Sequence, residues 1–60
     1  MQAKSYTVRY KDCQSIYHEI STFAKDSYDA RLNAIEKIAY LEEHPNAIDH
    51  IQLNESMINN

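Results

Sequence analysis

Cys13, His18, His44 and His50 are the side chains with the widest chemical range in this chain. Together they could ligate a metal, but no pair among them has the Cys-x-x-Cys or His-x-x-x-His spacing that places two donors on one ion. His18 alternates with Ile16 and Ile20, which predicts a partly buried, hydrogen-bonded ring. His44 falls at an expected helix end, where the dipole favours a cation. No metal and no cofactor is expected.

As a nucleophile, Cys13 would need a neighbouring base and a lowered pKa. Its neighbour is Asp12, whose negative charge raises a thiol pKa. Glu42 and Glu43 are adjacent carboxylates at the end of the same expected helix, placed to solvate it rather than to work as an acid–base couple. The chain has no glycine. Phosphate-cradling loops and nucleophile elbows rely on glycine for close backbone approach. No enzymatic activity is therefore expected.

Charge is unevenly spread. Residues 1–25 carry Lys4, Arg9, Lys11 and Lys25 against Asp12 and Glu19, a balance of +2. Residues 26–60 carry Arg31 and Lys37 against seven carboxylates, a balance of −5, for −3 in all. The second half should repel nucleic acid. A single cysteine excludes an internal disulfide and fits a reducing, cytoplasmic setting. No membrane span and no apolar leader is read from the sequence, and starting at Met1 it reads as a complete small frame. Abundant Ile, Asn, Lys and Tyr, which have AT-rich codons, point to an AT-rich genome such as that of a bacterial virus. The cytoplasm would then be the host's.

The elements that must position these residues follow from periodicity. Tyr6, Val8 and Tyr10 alternate with Thr7, Arg9 and Lys11, the period of a strand with one buried face. Residues 16–24 alternate again, with Ile16, His18, Ile20, Thr22 and Ala24 inward and Tyr17, Glu19, Ser21 and Phe23 outward. Asp12-Cys13-Gln14-Ser15 is of hairpin length, with Asp12 the residue suited to an unusual backbone angle. A helix is predicted over 27–43, capped by Asp26 or Ser27 and ended by Pro45. Residues 48–53 read as a third strand with Ile51 and Leu53 inward. The competing reading is a second helix over 47–58 with Ala47, Ile48, Ile51 and Ile58 on one face.

The expected fold class is thus α+β: a single β-β-α-β domain over 1–60, with 54–60 a disordered tail. A right-handed crossover puts the third strand beside the first, giving a three-stranded antiparallel sheet of order 2-1-3 with one helix packed on one face. Ile20 and Ile38 are expected to meet between sheet and helix.

Two surfaces remain. On a continuous helix the apolar arc spans about 200°, wider than one sheet can shield, and leaves Leu32, Ile35 and Ala39. The opposite sheet face is open and carries Arg9, Tyr17 and Phe23. A chain so short has none of the usual internal staples. The reading is a small non-enzymatic protein-binding or regulatory module, self-associating as a dimer through one of these surfaces. A single-stranded nucleic-acid binder using the hairpin face is the alternative, and a viral inhibitor of a host protein is a third.

Overall fold

The computed structural model describes residues 3–54. Three strands, β1 (Lys4–Lys11), β2 (Tyr17–Ala24) and β3 (Ile48–Leu53), form one sheet in the order β2-β1-β3. Both outer strands run antiparallel to β1. Tyr6, Val8 and Tyr10 point to the covered face and are buried. Val8 opposes Ile20 on one side and Ile51 on the other, so the central strand supplies the middle of the core. The third segment is a strand, as the need for a third sheet partner predicts.

The hairpin closes with Asp12 N–H donating to the Ile16 carbonyl at 3.0 Å and Ser15 N–H to the Asp12 carbonyl at 3.0 Å. Ser15, not Asp12, takes the left-handed angle, φ 66°. Asp12 instead acts as acceptor: its Oδ1 receives the N–H groups of Gln14 and Ile16 at 2.8 and 3.0 Å. The wider connection moves Ile16 out of the strand, and it is exposed rather than inward. His18 is exposed too; its Nε2 donates to Asp12 Oδ2 at 2.7 Å while its ring stacks on Tyr10.

Helix α1 (Ser27–Lys37) starts at Asp26, whose Oδ1 accepts from Asp29 N–H at 2.8 Å. This side-chain oxygen satisfies one of the first-turn donors that have no intrahelical partner. Ala30 and Ala34 are fully buried and bring the helix axis close to the sheet. The single helix expected to Glu43 is instead two. Ile38 is extended, φ −113° and ψ 112°, capping α1 and opening α2 (Ala39–Glu43). The bend redirects the chain so that Leu41 is fully buried and the Tyr40 ring lies 6.3 Å from Tyr10.

The 200° arc holds only for an unbroken helix. Across the bend, Ile35 and Ile38 are half-buried against the core, while Ala39 and Leu32 stay exposed. Ile20 and Ile38 pack against the core without being fully buried. Val8 and Leu41 are its largest fully buried side chains.

A 3-10 turn (Pro45–Ala47) leads into β3. The β1–β3 register shifts between Arg9 and Tyr10: Arg9 pairs with His50 and Tyr10 with Ile48, so Asp49 is an extra residue. Such a bulge lets residues three apart face the same way. Ile48 and Ile51 therefore both pack on the core, which resolves a spacing that mimicked a helix. Leu53, expected inward, opposes Tyr6 at the sheet margin and is 40% exposed. Asn54 is held by β1: its N–H donates to the Ser5 carbonyl at 2.8 Å and its amide bonds Thr7. The rest of the expected tail, 55–60, and Ile58 with it, lie outside the described residues.

Candidate functional site

The helices cover one face of the sheet, and the other carries the side chains left for contact. Cross-strand pairing arranges them in rows. Lys11 opposes Tyr17; Arg9 stands between Glu19 and His50; Thr7 stands between Ser21 and Gln52; Ser5 opposes Phe23.

The hairpin end of this face is ordered around Tyr17. The Arg9 guanidinium lies 4.7 Å from the Tyr17 ring centroid and the Lys11 ammonium 5.1 Å from it. Both distances are within cation–π range. The bulge turns Asp49 toward Arg9, and Arg9 Nη2 donates to Asp49 Oδ2 at 2.6 Å. That hydrogen bond is the main reason the Arg9 pKa rises above its already high ordinary value, with Tyr17 and Glu19 adding to it and desolvation opposing it. Arg9 Nε is shielded from solvent and has no hydrogen-bond partner among the described residues. The guanidinium is thus held by one carboxylate and one ring rather than by a full set of partners.

Beside it Lys11, Tyr17, Asn46, Ala47, Ile48 and Asp49 line an open depression of about 280 Å³. That is below the roughly 300–1,000 Å³ of ordinary small-ligand clefts, and its walls come from a strand edge and a turn.

The far end of the face is different. Phe23 is 71% exposed and next to a small polar network of Ser5, Thr7 and Asn54. Six residues separate it from Tyr17 on the same strand, about 20 Å at strand rise. The two aromatics therefore belong to one face but not to one patch.

Of the residues singled out in the sequence, Arg9 and Tyr17 are brought together. Phe23 shares their face at a distance, and Leu32, Ile35 and Ala39 lie on the helical layer. The helical layer also exposes Tyr28, one turn before Leu32. Periodicity alone does not mark Tyr28 as surface. Asp49 was seen only as one acid among seven. Its partner is 40 positions away, and nothing local in the sequence signals the pair.

Among the described residues no group of three or more His, Cys, Asp or Glu could hold a metal ion, and no helix is long and apolar enough to cross a membrane. His18 and His44 sit at the two ends of a row of rings with Tyr10 and Tyr40 between them, His44 being 4.6 Å from Tyr40. His18 is thus held by ring stacking and by Asp12, and His44 by a tilted ring contact. Cys13 is exposed on the hairpin turn.

Neither the curated proteins nor the solved structures include a match to this chain. Residues 5–54, from the first strand to the asparagine that closes the third, match the family model described as a domain of unknown function (DUF8647), and the chain belongs to that family.

Proposed function

We propose that the protein is a small non-enzymatic module that binds a protein partner on the open face of its sheet, centred on Tyr17, and that it self-associates. The observation that carries this reading is the Tyr17 ring, half exposed and flanked by Arg9 and Lys11, with Arg9 in turn held by Asp49. Tyrosine and arginine dominate the energetics of protein interfaces. Side chains ordered before contact lose less conformational entropy on binding.

The charge pattern favours a protein over a nucleic-acid strand. Arg9 is matched by Asp49 and faces Glu19, so Lys11 is the cation of this cluster without a carboxylate partner among the described residues. A phosphate-tracking surface uses several uncompensated cations, and its affinity falls steeply with salt. The lone exposed Cys13 supports a cytoplasmic setting. The codon-linked composition supports a viral source, in which case the partner would be a host protein that the module inhibits.

Capture from host extract with the whole chain tests the reading. Tyr17→Ala should lose the captured protein while Tyr28→Ala keeps it. Loss with Tyr28→Ala alone would move the surface to the helices. Capture that survives Tyr17→Ala but collapses in moderate salt would favour nucleic acid.

A further inference from the structure

The two edges of the sheet are not equivalent. In an antiparallel ladder, alternate residues turn their backbone groups toward the neighbouring strand and away from it. On β2 the bond between Asp12 and Ile16 sets the phase, so Ser21 and Phe23 point their carbonyls outward. Both are occupied from α1: Asn33 Nδ2 donates to the Phe23 carbonyl at 3.0 Å and Lys37 Nζ reaches the Ser21 carbonyl at 3.5 Å. The Ser21–Phe23 end of the β2 edge is thus covered by its own helix.

On β3 the bond from Asn54 N–H to the Ser5 carbonyl sets the phase. Gln52 and His50 then bond to β1, and Ile51 and Leu53 turn their N–H and C=O groups outward. No hydrogen bond reaches those groups among the described residues. The bulge at Asp49 bends the strand and ends the flat stretch at His50. What remains is residues 50–54, an unguarded edge of the kind that templates pairing with another strand.

We propose that this edge pairs antiparallel with the same edge of a second copy, about a two-fold axis at Gln52. This names the surface and register of the self-association half of the reading above, on which it rests. The register is self-complementary in chemistry. Ile51 faces Leu53 of the second copy and the reverse, so the four outward backbone groups of each copy are satisfied. Both side chains lie on the helix-covered side, where Leu53 is 40% exposed and Ile51 already packs on the core. On the other side His50 faces Asn54 of the second copy and Gln52 faces its own image, all polar, with no like charges opposed. The sheet becomes six-stranded, and the two Tyr17 clusters share one continuous face.

The experiment combines three proteins. Sedimentation equilibrium of the wild type from micromolar to submillimolar concentration should give a dimer. In a Cys13→Ser background, Gln52→Cys should oxidise rapidly to a covalent dimer, because a non-hydrogen-bonded pair sits about 4.5 Å apart between Cα atoms. His50→Cys, offset along the strand, should not. A synthetic chain with N-methylated Leu53 keeps every side chain and the β1–β3 ladder but lacks one outward donor per copy. Its dimer should weaken at least about tenfold.

A wild-type monomer across the range overturns self-association altogether. A dimer that is indifferent to N-methylation, or that cross-links at His50→Cys and not at Gln52→Cys, overturns the edge pairing and leaves self-association through another surface standing.

Discussion

Val8 and Arg9 are neighbours on the central strand and live in opposite environments. Val8 is wholly buried between Ile20 and Ile51, under the helices. Arg9 stands on the open face, tied to one exposed carboxylate and one exposed ring. The covered face holds the apolar area removed from water, which is the dominant favourable contribution to folding. The open face holds ordered polar and aromatic groups that fold without being needed for folding. The comparison teaches that burial is segregated by strand parity; with the proposed partner surface on the open face, a change of one position moves a substitution from stability to recognition.

The largest effect should come from the covered face. Leu41→Ala removes a fully buried side chain from a core with few large members and should cost about 2–5 kcal/mol. A domain of this size has roughly 5 kcal/mol to lose. Urea unfolding should find the midpoint moved down by about half or more, with no folded baseline at the upper end of that cost. A wild-type midpoint would show that α2 does not close the core.

The rim of the covered face responds to pH. Asp12 has a pKa below the usual carboxylate value, first because of the hydrogen bond from His18 and next because of the Ile16 N–H. A folded pKa below the unfolded one means that the carboxylate stabilises the fold above the unfolded value, near 4. That contribution is lost as pH falls through the depressed folded value. The urea midpoint should therefore drop between neutral pH and about pH 2, and Asp12→Asn should flatten that decline. An unchanged acid limb in the variant would place the sensitivity elsewhere.

A smaller effect, of opposite sign, is expected at the hairpin turn between β1 and β2. Ser15 sits at φ 66° without being glycine. Ser15→Gly should relieve the Cβ clash and stabilise the protein by about 0.5–1 kcal/mol, read as a higher melting temperature.

The smallest stability effect is expected on the open face. Arg9→Met removes the exposed pair with Asp49, and exposed pairs contribute little to stability. Its melting temperature should match wild type while partner capture is lost. A large loss of stability would mean that the open face also holds the fold together, and the segregation would fail.

How far the sequence could be read varied with the range of the interaction concerned. Alternation over Tyr6–Tyr10 and the Asp26 cap are local, and local sterics and hydrogen bonds settle them within a few residues. The order β2-β1-β3 was legible as well, because the handedness of the crossover leaves few ways to connect these elements. The candidate site was only half legible. Tyr17 and Arg9 could be placed on one face by counting, but Asp49 could not, since its orientation depends on the bulge.

What the chain alone determined, then, is the succession of two strands, a helical segment and a third strand, and the buried parity of each strand. Tertiary packing alone decided the extended backbone at Ile38, where no proline or glycine marks a break. It decided the extra residue at Asp49, which let Ile48 and Ile51 share a face and aimed a carboxylate at Arg9. It also decided that Asn33 and Lys37 reach the outward carbonyls of Phe23 and Ser21 on one sheet edge, while on the other edge the outward groups of Ile51 and Leu53 meet no partner among the described residues. Each of these depends on groups far apart in sequence meeting at short distance, and periodicity carries no information about which distant partner a residue meets.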